Sequence, residues 1–122
     1  MAKILVIEDE DNFRGVLAMM LAHENHEVST AANGVEAMQH LGATEFDVVI
    51  TDVLMPEKDG VETILGLRRS SPATKIIAMS GGGRIGSEDY LTIAAKLGAS
   101  ATLPKPFSRE QLLAVIAQAL GN

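Results

Sequence analysis

The chain has 122 residues, 47% of them hydrophobic and 21% charged, which is the balance of one compact folded domain and excludes a disordered chain. With 16 acidic against 10 basic residues it carries a net charge of -6, so it repels the phosphate backbone, and direct DNA or RNA binding is not expected. It has no cysteine, which excludes disulfides, zinc-thiolate sites and thiol catalysis.

Apolar runs alternate with amphipathic stretches along the whole chain. Met-Ala-Lys leads straight into Ile4-Leu5-Val6-Ile7, a β-branched run that predicts a buried strand. There is no basic leader and no long apolar stretch, so neither export nor a membrane span is expected, and the expected address is the cytoplasm. Phe13, Val16, Leu17, Met20 and Leu21 recur at helical spacing, with Asp11 or Asn12 as the expected cap. Glu27 to Thr30 predicts a weaker strand, and Asn33-Gly34 opens a helix through Val35, Ala37, Met38 and Leu41. Asp47 to Thr51 predicts the third strand. After the Met55-Pro56-Glu57-Lys58-Asp59-Gly60 loop, a helix carries Ile64, Leu65 and Leu67 and stops before Pro72. Lys75 to Met79 predicts the fourth strand. A glycine-rich loop then leads to a helix around Tyr90 to Leu97, ended by Gly98. Ala99 to Leu103 predicts the fifth strand, and Ser108 caps a last helix through Leu112, Leu113, Ile116 and Leu120.

Five strands alternating with five helices imply βαβ units, hence an α/β fold: a doubly wound, five-stranded parallel sheet in a three-layer sandwich. No repeat, low-complexity tract or linker interrupts it, and residues 1–122 are expected to form a single domain.

In open parallel sheets function collects beyond the carboxyl ends of the strands. Those ends deliver Glu8 and Asp9 (first strand), Asp52 (third), Ser80 (fourth) and Lys105 (fifth). Three carboxylates on one rim repel one another unless a cation joins them. An all-oxygen donor set suits a hard ion, magnesium before zinc, and such an ion completes its shell with water and phosphate oxygens. Lys105 can pair with a phosphoryl oxygen, Ser80 offers a hydroxyl, and Asp52 is the natural nucleophile for an acyl phosphate. Each residue has a plainer reading: Asp9 or Asp11 as a helix cap, Asp52 as the start of a turn, Ser80 as a loop residue, Lys105 as a solvated charge. Their conjunction at four of five strand ends favours the chemical reading.

The ordered pieces Val6-Ile7-Glu8-Asp9, Asp47 to Asp52, Met55-Pro56, Asp59-Gly60, Ile76 to Ser80, Gly98-Ala99 and Leu103-Pro104-Lys105-Pro106-Phe107 resemble the receiver domains of two-component response regulators along the whole chain. The resemblance implies a flavodoxin-like receiver topology, and at 122 residues no output domain is expected beside it. It implies that Asp52 accepts phosphate from a histidine kinase or phosphotransfer protein. Asp9, Asp52 and the Leu54 main-chain carbonyl would bind magnesium directly, Glu8 largely through water, and Ser80 and Lys105 would contact the phosphoryl group. It further implies a cis Lys105–Pro106 peptide, catalysis confined to the domain's own phosphorylation and dephosphorylation, and output through a downstream protein or onward phosphotransfer, as a monomer or weak dimer.

Two positions depart from the family pattern. Thr102 stands where members often carry an aromatic switch residue, and the chain's one tyrosine is Tyr90, in the region of the helix expected before the fifth strand. The loop Gly81-Gly82-Gly83-Arg84-Ile85-Gly86 is longer and looser than is common, which suggests ordering of residues 81 to 95 around a phosphoryl group. That loop also satisfies G-x-G-x-x-G, but a dinucleotide site needs the motif early, with an acidic residue ending the next strand; here that strand ends at Leu103-Pro104-Lys105. His23 and His26 straddle a helix end with no third metal ligand, His40 has no visible partner, and the six methionines read as core filler. The main alternative function is a magnesium-dependent phosphohydrolase with an Asp nucleophile, which needs a general acid where Leu54 is apolar. A flavin carrier fits poorly with aromatic residues at 3%.

Overall fold

The computed structural model describes residues 2–52, 60–80, 95–96 and 98–121. Its strands are β1 (Lys3–Ile7), β2 (Glu27–Ala31), β3 (Val48–Asp52), β4 (Lys75–Ser80) and β5 (Ala101–Pro104). Its helices are α1 (Asp11–His23), α2 (Gly34–Ala43), α3 (Gly60–Ser70) and α4 (Arg109–Ala119). All strand pairings are parallel, in the order β2-β1-β3-β4-β5. This is the expected doubly wound sheet, and the winding reverses between β1 and β3.

The apolar runs form strands because both faces of the sheet are covered. Alternate residues feed two cores. Ile4, Val6, Val48, Ile50, Ile77, Met79 and Leu103 pack with Leu17 and Leu21 of α1 and with Leu112 and Ile116 of α4. Leu5, Ile7, Val49, Ile76 and Ala78 pack with Ala37 of α2 and with Ile64 and Leu67 of α3. β3 is buried from end to end, which places its last residue at the centre of the sheet's carboxyl edge.

Several local details depart from expectation. β3 and β4 each continue one residue further, because Asp52 still pairs with Met79 and Ser80 with Pro104 in the ladder. β5 starts at Ala101, two residues later than expected. The N-cap of α1 is Glu10, with no side-chain capping bond, whereas Asp11 is the first helical residue and its carboxylate is taken by Arg14. Asn33 and Ser108 do cap α2 and α4, accepting from the main-chain N–H of Glu36 and Gln111. The helix expected around Tyr90 to Leu97 lies outside the described residues except for Ala95 and Lys96, which are helical, and Gly98 follows with φ +115°. The glycine-rich loop, Tyr90 and Leu54 also lie outside them. No helix among the described residues is long and apolar enough to cross a membrane.

Candidate functional site

β1 ends at Ile7, so Glu8 and Asp9 emerge at the carboxyl edge beside the end of β3. Their carboxylates and that of Asp52 come together with ligand oxygens all within 4.8 Å of one another. Glu8 is 1% exposed and Asp52 4%, while Asp9 faces solvent. Charged side chains are rarely buried so completely unless paired. The pairing comes from Lys105, whose Nζ donates to Glu8 Oε1 and Asp52 Oδ2, both at 2.7 Å. Lys105 is delivered by β5 and held by its own main-chain N–H, which donates to the Ser80 carbonyl at 2.8 Å. The Lys105–Pro106 peptide is cis, as the resemblance implies. Ser80 is buried at the end of β4, on the same edge. Of the residues picked out from sequence, the geometry thus brings Glu8, Asp9, Asp52 and Lys105 into contact distance and puts Ser80 on the adjoining strand end.

The electrostatics follow from burial and pairing. Burial pushes the Glu8 carboxyl up from 4.5 to about 7, helped by a hydrogen bond with Asp9 and opposed by Lys105 and the Glu10 N–H. Burial alone would lower the Lys105 ammonium, but its hydrogen bonds to Asp52 and Glu8 outweigh that and its net direction is up. The lysine is therefore a fixed positive charge at neutral pH.

The donor set is oxygen only, with three carboxylates converging and two of them buried, and that combination fits a hard divalent cation. No other group of this kind occurs among the described residues. The histidines are accounted for otherwise. His23 is exposed, His26 Nδ1 accepts from the Ala2 N–H at 3.1 Å, and His40, expected to be without a partner, has Nε2 3.0 Å from the Thr30 carbonyl. Met79 is core filler as expected, but Met19 is 74% exposed.

Two residues at the site were not picked out from sequence as site residues. Arg14 Nη1 donates to the Glu8 main-chain carbonyl at 2.8 Å. Phe13, read only as a core position of the first helix, places its ring centroid 4.4 Å from Lys105 Nζ. Their position at one helical turn beyond Asp9 is the available signal, since a helix starting at the site turns its first residues back over it. Thr102, in place of the aromatic that members of the family often carry, is half-buried in β5 opposite Ala78.

Comparison with known proteins agrees with this geometry. The family model described as response regulator receiver domain matches residues 4–117. The chain is 35% identical over 99% of its length to the DNA-binding transcriptional regulator NtrC of Azospirillum brasilense, and 39% identical over 98% to the sensor kinase CckA of Brucella abortus. It spans only 24% and 12% of those two proteins. Among solved structures, a response regulator receiver domain protein from Clostridium thermocellum superposes with a TM-score of 0.90 at 31% identity, covering 99% of this chain and 95% of that one.

Proposed function

The chain belongs to the family of response regulator receiver domains, and on that premise we propose that Asp52 is its phospho-acceptor, served by Glu8, Asp9, Ser80 and Lys105. The observation that carries the reading is the buried Asp52 carboxylate, grouped with Glu8 and Asp9 and bound by Lys105 at 2.7 Å. A carboxylate oxygen of Asp52 attacks phosphorus, forming an O–P bond while the P–N bond of a donor phosphohistidine breaks and its electron pair returns to the imidazole. Water later cleaves the acyl phosphate, restoring the carboxylate and releasing phosphate. Catalysis is thus confined to the domain's own phosphorylation and dephosphorylation.

Glu8, Asp9 and Asp52, with the Leu54 carbonyl, would hold Mg2+, which when bound neutralises charge on the phosphoryl oxygens. Lys105 supplies a second positive charge from just past β5, and Ser80 a hydroxyl donor at the strand end next to Asp52. Once phosphorylated, Asp52 carries its negative charge further from the sheet, and Lys105 is free to exchange a carboxylate partner for a phosphoryl oxygen. The resulting change in charge and contacts at this edge of the sheet is the signal.

A histidine kinase or phosphotransfer protein is the proposed donor, and a protein target the proposed receiver of the signal, in the cytoplasm. The relatives point the same way, since a sensor kinase and a transcriptional regulator both contain a segment similar to this chain. Intact mass after incubation with acetyl phosphate and Mg2+ tests the proposal. Wild type should gain one phosphoryl group and Asp52→Asn none; equal gain in both would overturn it.

A further inference from the structure

Lysine carries its charge on a flexible four-carbon stem, so a lysine that must meet a transferring group needs walls as well as partners. Two walls are the carboxylates of Glu8 and Asp52. The third is aromatic: the ring of Phe13, with Lys105 Nζ 4.4 Å from its centroid. Phe107 meets that ring edge-on, centroid to centroid 5.8 Å at 66°. Both rings pack against the core beneath α1 and α4. Two of the chain's three phenylalanines therefore take part, Phe13 against the ammonium and Phe107 against Phe13.

We propose that Phe13, held by Phe107, is a positioning residue for Lys105, keeping the ammonium at the site while its anionic partners change. The inference rests on the phospho-acceptor reading above. The face of a benzene ring carries negative potential and attracts a cation, and an edge-to-face neighbour fixes the ring's orientation. Unlike a carboxylate, a ring face makes no directional hydrogen bond. Lys105 can pivot from Asp52 Oδ2 towards a phosphoryl oxygen without losing this contact, and the charge stays where it is needed through the transfer. An aliphatic side chain at position 13 would fill the space without attracting the charge.

Two substitutions separate packing from the ring. Phe13→Leu keeps an apolar side chain of similar reach, and Phe13→Tyr keeps the aromatic face. With acetyl phosphate and Mg2+, the initial rate of phosphoryl gain should fall about two- to fivefold in Phe13→Leu and stay near wild type in Phe13→Tyr. In proton NMR spectra of the wild-type protein, the Lys105 ε-methylene signals should be moved upfield by the ring current, a reading that needs no variant to fold. Equal rates in the two variants, or Lys105 signals at ordinary lysine positions in wild type, would overturn the proposal. A wild-type protein that gains no phosphoryl group would instead defeat the reading of the site on which it rests.

Discussion

Arg14 reaches back from α1 to the main chain of Glu8, Nη1 donating to the Glu8 carbonyl at 2.8 Å. Its Nη2 donates to Asp11 Oδ1 at 2.5 Å. One guanidinium therefore ties the first turn of α1 to the turn that carries Glu8 and Asp9. A planar fork with several fixed donors can make both bonds at once, and an ammonium cannot match that geometry. Arg14→Ala should weaken Mg2+ binding by about fivefold, the equivalent of about 1 kcal/mol for a partly exposed charge-assisted bond. Arg14→Lys should recover little. Isothermal titration with Mg2+ reads both, and an unchanged affinity would mean that the turn is held by its other contacts.

Glu8 should make Mg2+ binding depend on pH. Its carboxyl is raised from 4.5 to about 7, chiefly by burial. The folded state then holds a proton that the unfolded chain has lost, so this group contributes stability below about 4.5 that is given up as pH rises through about 7. A cation requires the carboxylate, so binding runs the other way: Mg2+ uptake should strengthen as pH rises over the same window and release a proton on the acid side of it. The stabilisation by Mg2+ in thermal melts should be small near pH 5.5 and grow towards about pH 8. In Glu8→Gln that growth should largely vanish; its persistence would assign the dependence to another group.

The strand ends were legible because five apolar runs define a parallel sheet, and such a sheet gathers on one edge the residues just past its strands. That logic reaches Glu8, Asp9, Asp52, Ser80 and Lys105 with no knowledge of side-chain positions. It cannot reach Phe13 and Arg14, whose roles depend on how far α1 is rotated over the sheet. Helical periodicity marks Phe13 as apolar-facing, but not that its ring stops beside a lysine from the far end of the chain. The cap of α1 differs from expectation for a related reason: Asp11 has the right chemistry, but Arg14 offers its carboxylate a stronger partner than a main-chain N–H. Likewise a half-buried histidine such as His40 finds a main-chain carbonyl that only the packing of α2 on β2 brings near.

Gly98 is required by two independent constraints. Its φ is +115°, a conformation side chains resist, and a Cβ there would lie 2.7 Å from Arg68 Cδ. Arg68 is occupied in turn, donating to the carbonyls of Thr74 and Pro72. Gly98→Ala should cost about 1–3 kcal/mol, the sum of backbone strain and displacement of that arginine. Chemical denaturation measures it. Because Gly98 precedes β5, which delivers Lys105, the variant should also phosphorylate more slowly than its loss of stability alone predicts.

Thr74 provides the converse case, a change to the fold that spares the site. It is 5% exposed, ahead of β4 at the end of the sheet opposite the carboxylates, and its Oγ1 donates to the Phe46 carbonyl at 2.8 Å. Phe46 belongs to the core between the sheet and α2 and α3, so the bond fastens the entry to β3 against the entry to β4. Thr74→Val keeps the shape but removes the donor and leaves a carbonyl without it, at a cost of about 1–2 kcal/mol. For a domain of this size the melting temperature should fall by about 5 °C. Phosphoryl gain from acetyl phosphate, measured well below that temperature, should match wild type. A slowed reaction in this variant would mean that the two ends of the sheet are coupled, and that the carboxyl edge is not an independent unit resting on a rigid core.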